Sequence, residues 1–142
     1  MKITDKVKLG SILFNKKTDQ VEIVTIDTLH ILIDLESKGE QNIYNLINIL
    51  GTWLEEYFGF EKHYLGRNFM DVYTNANNGF RLHKTEGRNF QLGFTLKEGS
   101  RTFKKEIHYL NELDDCIFVF KGERLKIDDD LIVRINREKI GW

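Results

Sequence analysis

The residues able to do chemistry are few and scattered. Four histidines stand at positions 30, 63, 83 and 108, and none falls into an H-x-H, H-x-x-x-H or H-E-x-x-H pattern. A metal would need ligands gathered from separate elements, and none is expected. Cys116 is the single cysteine, so neither an internal disulfide framework nor a multi-cysteine zinc site fits. It sits in the apolar run Cys116-Ile117-Phe118-Val119-Phe120, where burial would raise the thiol pKa and leave it inert. The sequence holds no G-x-G-x-x-G, no G-x-x-x-x-G-K-[ST] and no G-x-S-x-G. Neighbouring acids such as Glu55-Glu56 and Asp114-Asp115 diverge by about 100° on a helix and are not expected to share a site. Asp128-Asp129-Asp130 lacks the spacing of a calcium loop and reads as a solvated run. The reading is a non-catalytic protein without cofactor.

Charge is the feature with a partner in it. Net charge is −1 for the whole chain, but residues 61–105 carry nine basic side chains against four acidic ones, and residues 106–130 carry three against eight. Arg81, Lys84, Arg88, Lys97, Arg101, Lys104 and Lys105 fall near the ends of adjacent hairpins, with Tyr73, Phe80 and Phe103 interleaved. A sheet face decorated in this way binds RNA or single-stranded DNA by stacking on bases and neutralising phosphates. The alternative puts the aromatics in the core and leaves the cations as solubilising edge charges. The acidic stretch offers Glu112, Asp114 and Asp115 to a positively charged groove on a protein partner. Whether the two blocks share a face stays open.

The elements that must position these residues follow from periodicity. Residues 1–35 read as a β-meander: Val7–Phe14 with Gly10 as a candidate bulge, Val21–Ile26 alternating with period two, and Leu29–Ile33. Residues 43–60 read as a helical segment. Within it Thr52 caps a short helix over Trp53–Phe58, with Glu55 as capping-box partner and Gly59 just past the end. Residues 43–50 stay undecided between helix and extended chain. Residues 63–105 alternate again and form a second meander with turns at Asn75–Gly79, Glu86-Gly87-Arg88 and Glu98-Gly99-Ser100. From Ile107 the period lengthens to a helix over 106–122 that Gly122 stops, with a β-strand over Cys116–Phe120 as the competing reading. Residues 128–142 end the chain with a strand over Leu131–Ile135. The whole is expected to be one α+β domain, antiparallel meanders of about seven strands with one short and one longer helix packed on the sheet.

Proline is absent, so turns fall to Gly, Asn and Asp. No apolar run reaches the length of a transmembrane helix, and the polar opening Met1-Lys2-Ile3-Thr4-Asp5 does not read as a secretory signal, so a cytoplasmic protein is expected.

Two stretches carry a resemblance. Leu50-Gly51-Thr52-Trp53-Leu54-Glu55-Glu56-Tyr57-Phe58-Gly59-Phe60 is similar to an L-T-x-x-W-L-x-x-F-G-F segment, and Ile107–Leu125 is similar to a V-x-Y-V-H-x-L-Q-N-L-Y-F-A-L-T-G-E-E-L segment. Both recur in small uncharacterised proteins of Bacteroidota phages and mobile elements, and the likeness spans about residues 7–127. That family's H-Q-L-Q-N is here the more acidic Asn111-Glu112-Leu113-Asp114-Asp115, and its proline-rich approach to the first helix is replaced by Ile47-Asn48-Ile49-Leu50. The resemblance implies no catalytic residues. It implies a helix over 107–120 and a mobile-element setting, where small proteins act by binding host machinery. The expectation is therefore a phage or prophage accessory protein, anti-CRISPR-like, that binds and inhibits a host protein or ribonucleoprotein such as a nucleic-acid-guided defence complex. The alternatives are a small RNA- or ssDNA-binding regulator and a virion structural or assembly protein.

Overall fold

The computed structural model describes residues 3–63, 72–77, 79–86, 92–98, 101–102 and 106–140. They form an α+β fold with two antiparallel sheets and four α-helices. Strands β1 (Ile12–Asn15), β2 (Gln20–Ile23) and β3 (Tyr44–Asn45) make a three-stranded sheet in the order β2-β1-β3. Strands β4 (Glu61–His63), β5 (Val72–Thr74), β6 (Phe80–Glu86), β7 (Leu92–Glu98) and β8 (Arg101–Thr102) make a five-stranded meander in chain order. The eight strands exceed the seven expected, and helices α1 (Ile26–Ser37), α2 (Gly51–Tyr57), α3 (Leu110–Lys121) and α4 (Asp129–Glu138) replace the expected two. No helix among the described residues is long and apolar enough to cross a membrane.

The unbroken apolar run Ile12-Leu13-Phe14 is explained by β1 lying central and covered on both faces. Ile12 and Phe14 join the larger core with Trp53, Leu54, Phe80, Leu82 and Leu113, whereas Leu13 faces a smaller one with Val24, Leu32 and Tyr44. Covering that second face requires a helix where periodicity predicts a strand. Leu29–Ile33 belongs to α1: Thr25 caps it in a box with Thr28, each threonine supplying a side-chain acceptor for the other's backbone N–H. Thr28 and Leu32, four residues apart, point inward, and Ile26, Ile31 and Ile33 stay exposed. Apolar residues on both sides of the helix produce the strand-like run.

The expected C-terminal strand over Leu131–Ile135 is likewise corrected to α4. Asp128 caps it through Leu131 N–H (2.8 Å), and Asp129 and Asp130 occupy the first turn, where the helix dipole favours anions. Ile135 is fully buried. The Asn136 amide accepts from Val21 N–H (2.7 Å) and donates to Val21 C=O (3.0 Å), so α4 covers the open edge of β2.

Residues 43–50 are extended. Ile49 N–H donates to His108 C=O and Leu110 N–H to Ile47 C=O, both at 2.8 Å, pinning this segment to the approach of α3. Helix α2 begins one residue before the expected cap: Leu50 is the N-cap, and Thr52 lies inside the helix. Gly51 is required there because a Cβ would lie 2.1 Å from the buried Tyr73 hydroxyl. Helix α3 confirms the helical reading of Cys116–Phe120. Gly122 stops it in the left-handed region (φ 69°), donating to Phe118 C=O at 2.7 Å.

Candidate functional site

One face of the five-stranded meander is buried, and the other is exposed at Glu61 and Arg81 but covered at Val72. Phe80 and Leu82 of β6 have no exposed surface and Tyr73 of β5 has 4%, while Arg81 between them is exposed. Register then aligns positions across all five strands: Glu61 pairs with Thr74, Thr74 with Arg81, Arg81 with Lys97, and Lys97 with Thr102. Paired positions share a face, so these five positions form one row, outward where Glu61 and Arg81 are exposed, with neighbours about 5 Å apart. His63 lies on the same face, with Nε2 2.9 Å from the Thr74 hydroxyl and 4.0 Å from a Glu61 oxygen.

The basic residues expected to act together are divided by this register. Arg81 and Lys97 stand directly opposite each other in the outward row. Lys84 pairs with Phe94, on the face of Phe80 and Leu82, and is half-buried. Arg101 pairs with Glu98, which in turn pairs with Phe80, so its register position is not that of Arg81 and Lys97. Arg88, Lys104 and Lys105 lie outside the described residues, as does Phe103. Tyr73 and Phe80 are core residues, which corrects their expected role as a stacking platform: alternation turns them inward as it turns Arg81 outward.

The acidic residues are engaged within the fold. The Glu112 carboxylate accepts from Tyr109 N–H (3.2 Å), completing the cap of α3. Asp114, 8% exposed, accepts from Leu125 N–H (2.7 Å) and Arg124 Nη1 (2.9 Å). Asp115 takes the same guanidinium at 3.3 Å and pairs with the Lys8 ammonium, which also lies 3.8 Å from Asp114. The two aspartates thus share a site, contrary to expectation, because two long cations reach across the angle between them. Arg124 also stacks over Phe118 at 4.1 Å. Burial, and secondarily the Arg124 charge, hold the Lys8 pKa below the usual lysine value against the pull of Asp114. The nearby Asn111 amide donates to the Lys6 carbonyl, so the N-terminal segment is tied to α3 at two points.

One concavity was not legible in the sequence. A cleft of about 340 Å³ opens between the β1–β2 hairpin and the 45–50 segment, lined by Phe14, Asp19, Val21, Asn45, Asn48 and Trp53 among others. Trp53 is fixed by its indole N–H, which donates to Ile140 C=O at 2.7 Å, and Asp19 pairs with Lys139 at 3.6 Å. Three separate stretches of chain supply these residues, so no local motif announces them. Lys8 and Arg124 were missed for the same reason.

Among the described residues, no group of three or more His, Cys, Asp or Glu side chains could hold a metal ion. Comparison with family models, with curated proteins and with solved structures finds no match for this chain.

Proposed function

We propose that this chain acts by binding rather than by catalysis, as a phage or prophage accessory protein that inhibits a host ribonucleoprotein, a nucleic-acid-guided defence complex being the target class. The observation that supports this is the opposition of Arg81 and Lys97 in the outward row of the meander. Two basic residues at opposed register positions concentrate positive charge at one place on the sheet, and phosphates spaced along a nucleic-acid backbone are anions that such a place would attract. Thr74 pairs with Arg81 in the same row and can add a hydroxyl contact to phosphate.

The test is recovery of partners from a host lysate by tagged wild-type protein and by the Arg81→Glu/Lys97→Glu variant, each with and without nuclease. The expected result is a stoichiometric protein partner that wild type keeps after nuclease and the variant loses. Equal recovery by the variant would remove the sheet face from this reading. Partners that vanish with nuclease, leaving RNA or DNA alone, would replace the inhibitor with a small nucleic-acid-binding regulator.

A further inference from the structure

We infer that the cleft between the β1–β2 hairpin and the 45–50 segment is a nucleotide site, with the base in the cleft and its phosphate on the hairpin turn. At about 340 Å³ the cleft lies at the small end of ligand pockets and has room for one flat ring system. Its walls suit the two surfaces of a base. Phe14, half-buried, offers aromatic carbon to one flat face above a floor that includes the enclosed Trp53, and stacking of this kind is sequence-tolerant. Asn45 and Asn48 offer carboxamides to the edge, each with both a donor and an acceptor, as asparagine does when it reads adenine. Both asparagines are exposed, and neither amide group has a hydrogen-bond partner among the described residues.

The backbone holds these amides in place. Asn45 is paired with Phe14 in the β1–β3 ladder, and Asn48 is bridged to Tyr109 with bonded residues on either side. Asp19 and Lys139, both non-glycine residues in the left-handed region (φ 59° and 51°), meet in an ion pair where Asp19 lines the cleft.

Charge at the rim selects a nucleotide over another flat ring. Phe14 and Asp19 both line the cleft, so the turn that joins them borders it, and that turn carries the exposed Lys16 and Lys17. Both lysines also line a neighbouring hollow of about 270 Å³. Lys16 opens the turn two residues beyond Phe14, close enough in the chain for its ammonium to meet the phosphate of a base seated beside Phe14. With Lys139, three lysines stand against the one carboxylate of Asp19.

Calorimetric titration of the full chain with AMP, adenosine and a short oligoadenylate tests this. AMP is expected to bind, adenosine about tenfold more weakly, and Asn45→Ala/Asn48→Ala to weaken AMP at least about tenfold with an unchanged urea midpoint, since both side chains are exposed. Lys16→Ala/Lys17→Ala is expected to bring AMP down to the affinity of adenosine. Tighter binding of AMP than of the oligonucleotide marks a free nucleotide as the ligand; the reverse order marks a nucleotide unit within a strand. The Arg81→Glu/Lys97→Glu variant keeps AMP binding, which separates this site from the sheet face. No heat with AMP or the oligonucleotide, or affinity untouched by the asparagine pair, overturns the site. Equal affinity for AMP and adenosine overturns the assignment of the phosphate.

Discussion

The first turns of α3 and the outward row of the five-stranded sheet are both dense in charge, and they use it in opposite ways. On α3, Glu112 closes a cap and Asp114 is enclosed by Arg124, Lys8 and Leu125 N–H. On the sheet, Arg81 is exposed and holds the register position opposite Lys97. A run of acids in the sequence therefore became internal scaffolding, and a run of bases became a divided set of which two members share an outward row. Block charge alone does not mark a surface; exposure and register do.

That contrast can be broken most readily at Asp114. Replacing it by Ala leaves the Leu125 N–H without its acceptor and leaves Arg124 and Lys8 with Asp115 alone. A loss of about 2–3 kcal/mol is expected, below the figure for a fully buried pair because Lys8 and Arg124 are partly exposed. Urea denaturation measures it, and a loss under about 0.5 kcal/mol would mean that the cluster is solvated. Glu112→Ala removes the carboxylate that accepts from Tyr109 N–H and should cost about 1 kcal/mol by the same assay. A silent Glu112→Ala would return that carboxylate to the set of partner-facing groups.

The sheet side carries the opposite charge. Arg81→Glu reverses the charge at the register position opposite Lys97 and is expected to weaken polyanion binding while changing stability by less than about 0.5 kcal/mol. A variant that loses stability and keeps binding would invert the comparison.

A smaller effect is expected from Tyr44, beside the second core. Burial, and secondarily the Glu22 carboxylate, raise its pKa above the ordinary tyrosine value of 10.0. A group held in its neutral form by the fold contributes stability that is complete below the unfolded pKa and is lost as pH rises through the folded one. Wild type should therefore lose stability above pH 10, and Tyr44→Phe should lose less of it between about pH 9 and about pH 11. Parallel curves for the two proteins would show that Tyr44 ionises as freely in the fold as in the unfolded chain.

What was legible in the sequence was whatever a single segment decides. The meander between residues 61 and 105 shows in its alternation and in its Asn- and Gly-rich turns, and α3 shows in its apolar stripe and its stop at Gly122. Helices α1 and α4 were hidden because their apolar residues lie on more than one side, which imitates a strand. In α1 three isoleucines face solvent, and in α4 Val133 does while Ile135 is enclosed. Their caps, Thr25 with Thr28 and Asp128 ahead of two more aspartates, were the local signals that could have identified them. The engagement of Asp114 depends on Lys8 and Arg124, the latter ten residues on and the former in the N-terminal segment, and no spacing rule within one helix contains that information. The outward row depends on register across five strands, which alternation within each strand does not set.

The most direct measurement is the salt dependence of binding to a labelled single-stranded RNA, followed by fluorescence anisotropy for wild type, Arg81→Ala/Lys97→Ala and Asp115→Ala. If the outward row is the phosphate-binding surface, the slope of log affinity against log salt should fall by about 1.4 in the double variant, at about 0.7 for each single-strand phosphate that is no longer neutralised. Asp115→Ala, which alters only the α3 cluster, should keep the wild-type slope. A double variant with an unchanged slope, or an Asp115→Ala protein whose slope changes instead, would contradict the division of labour between the two charged regions.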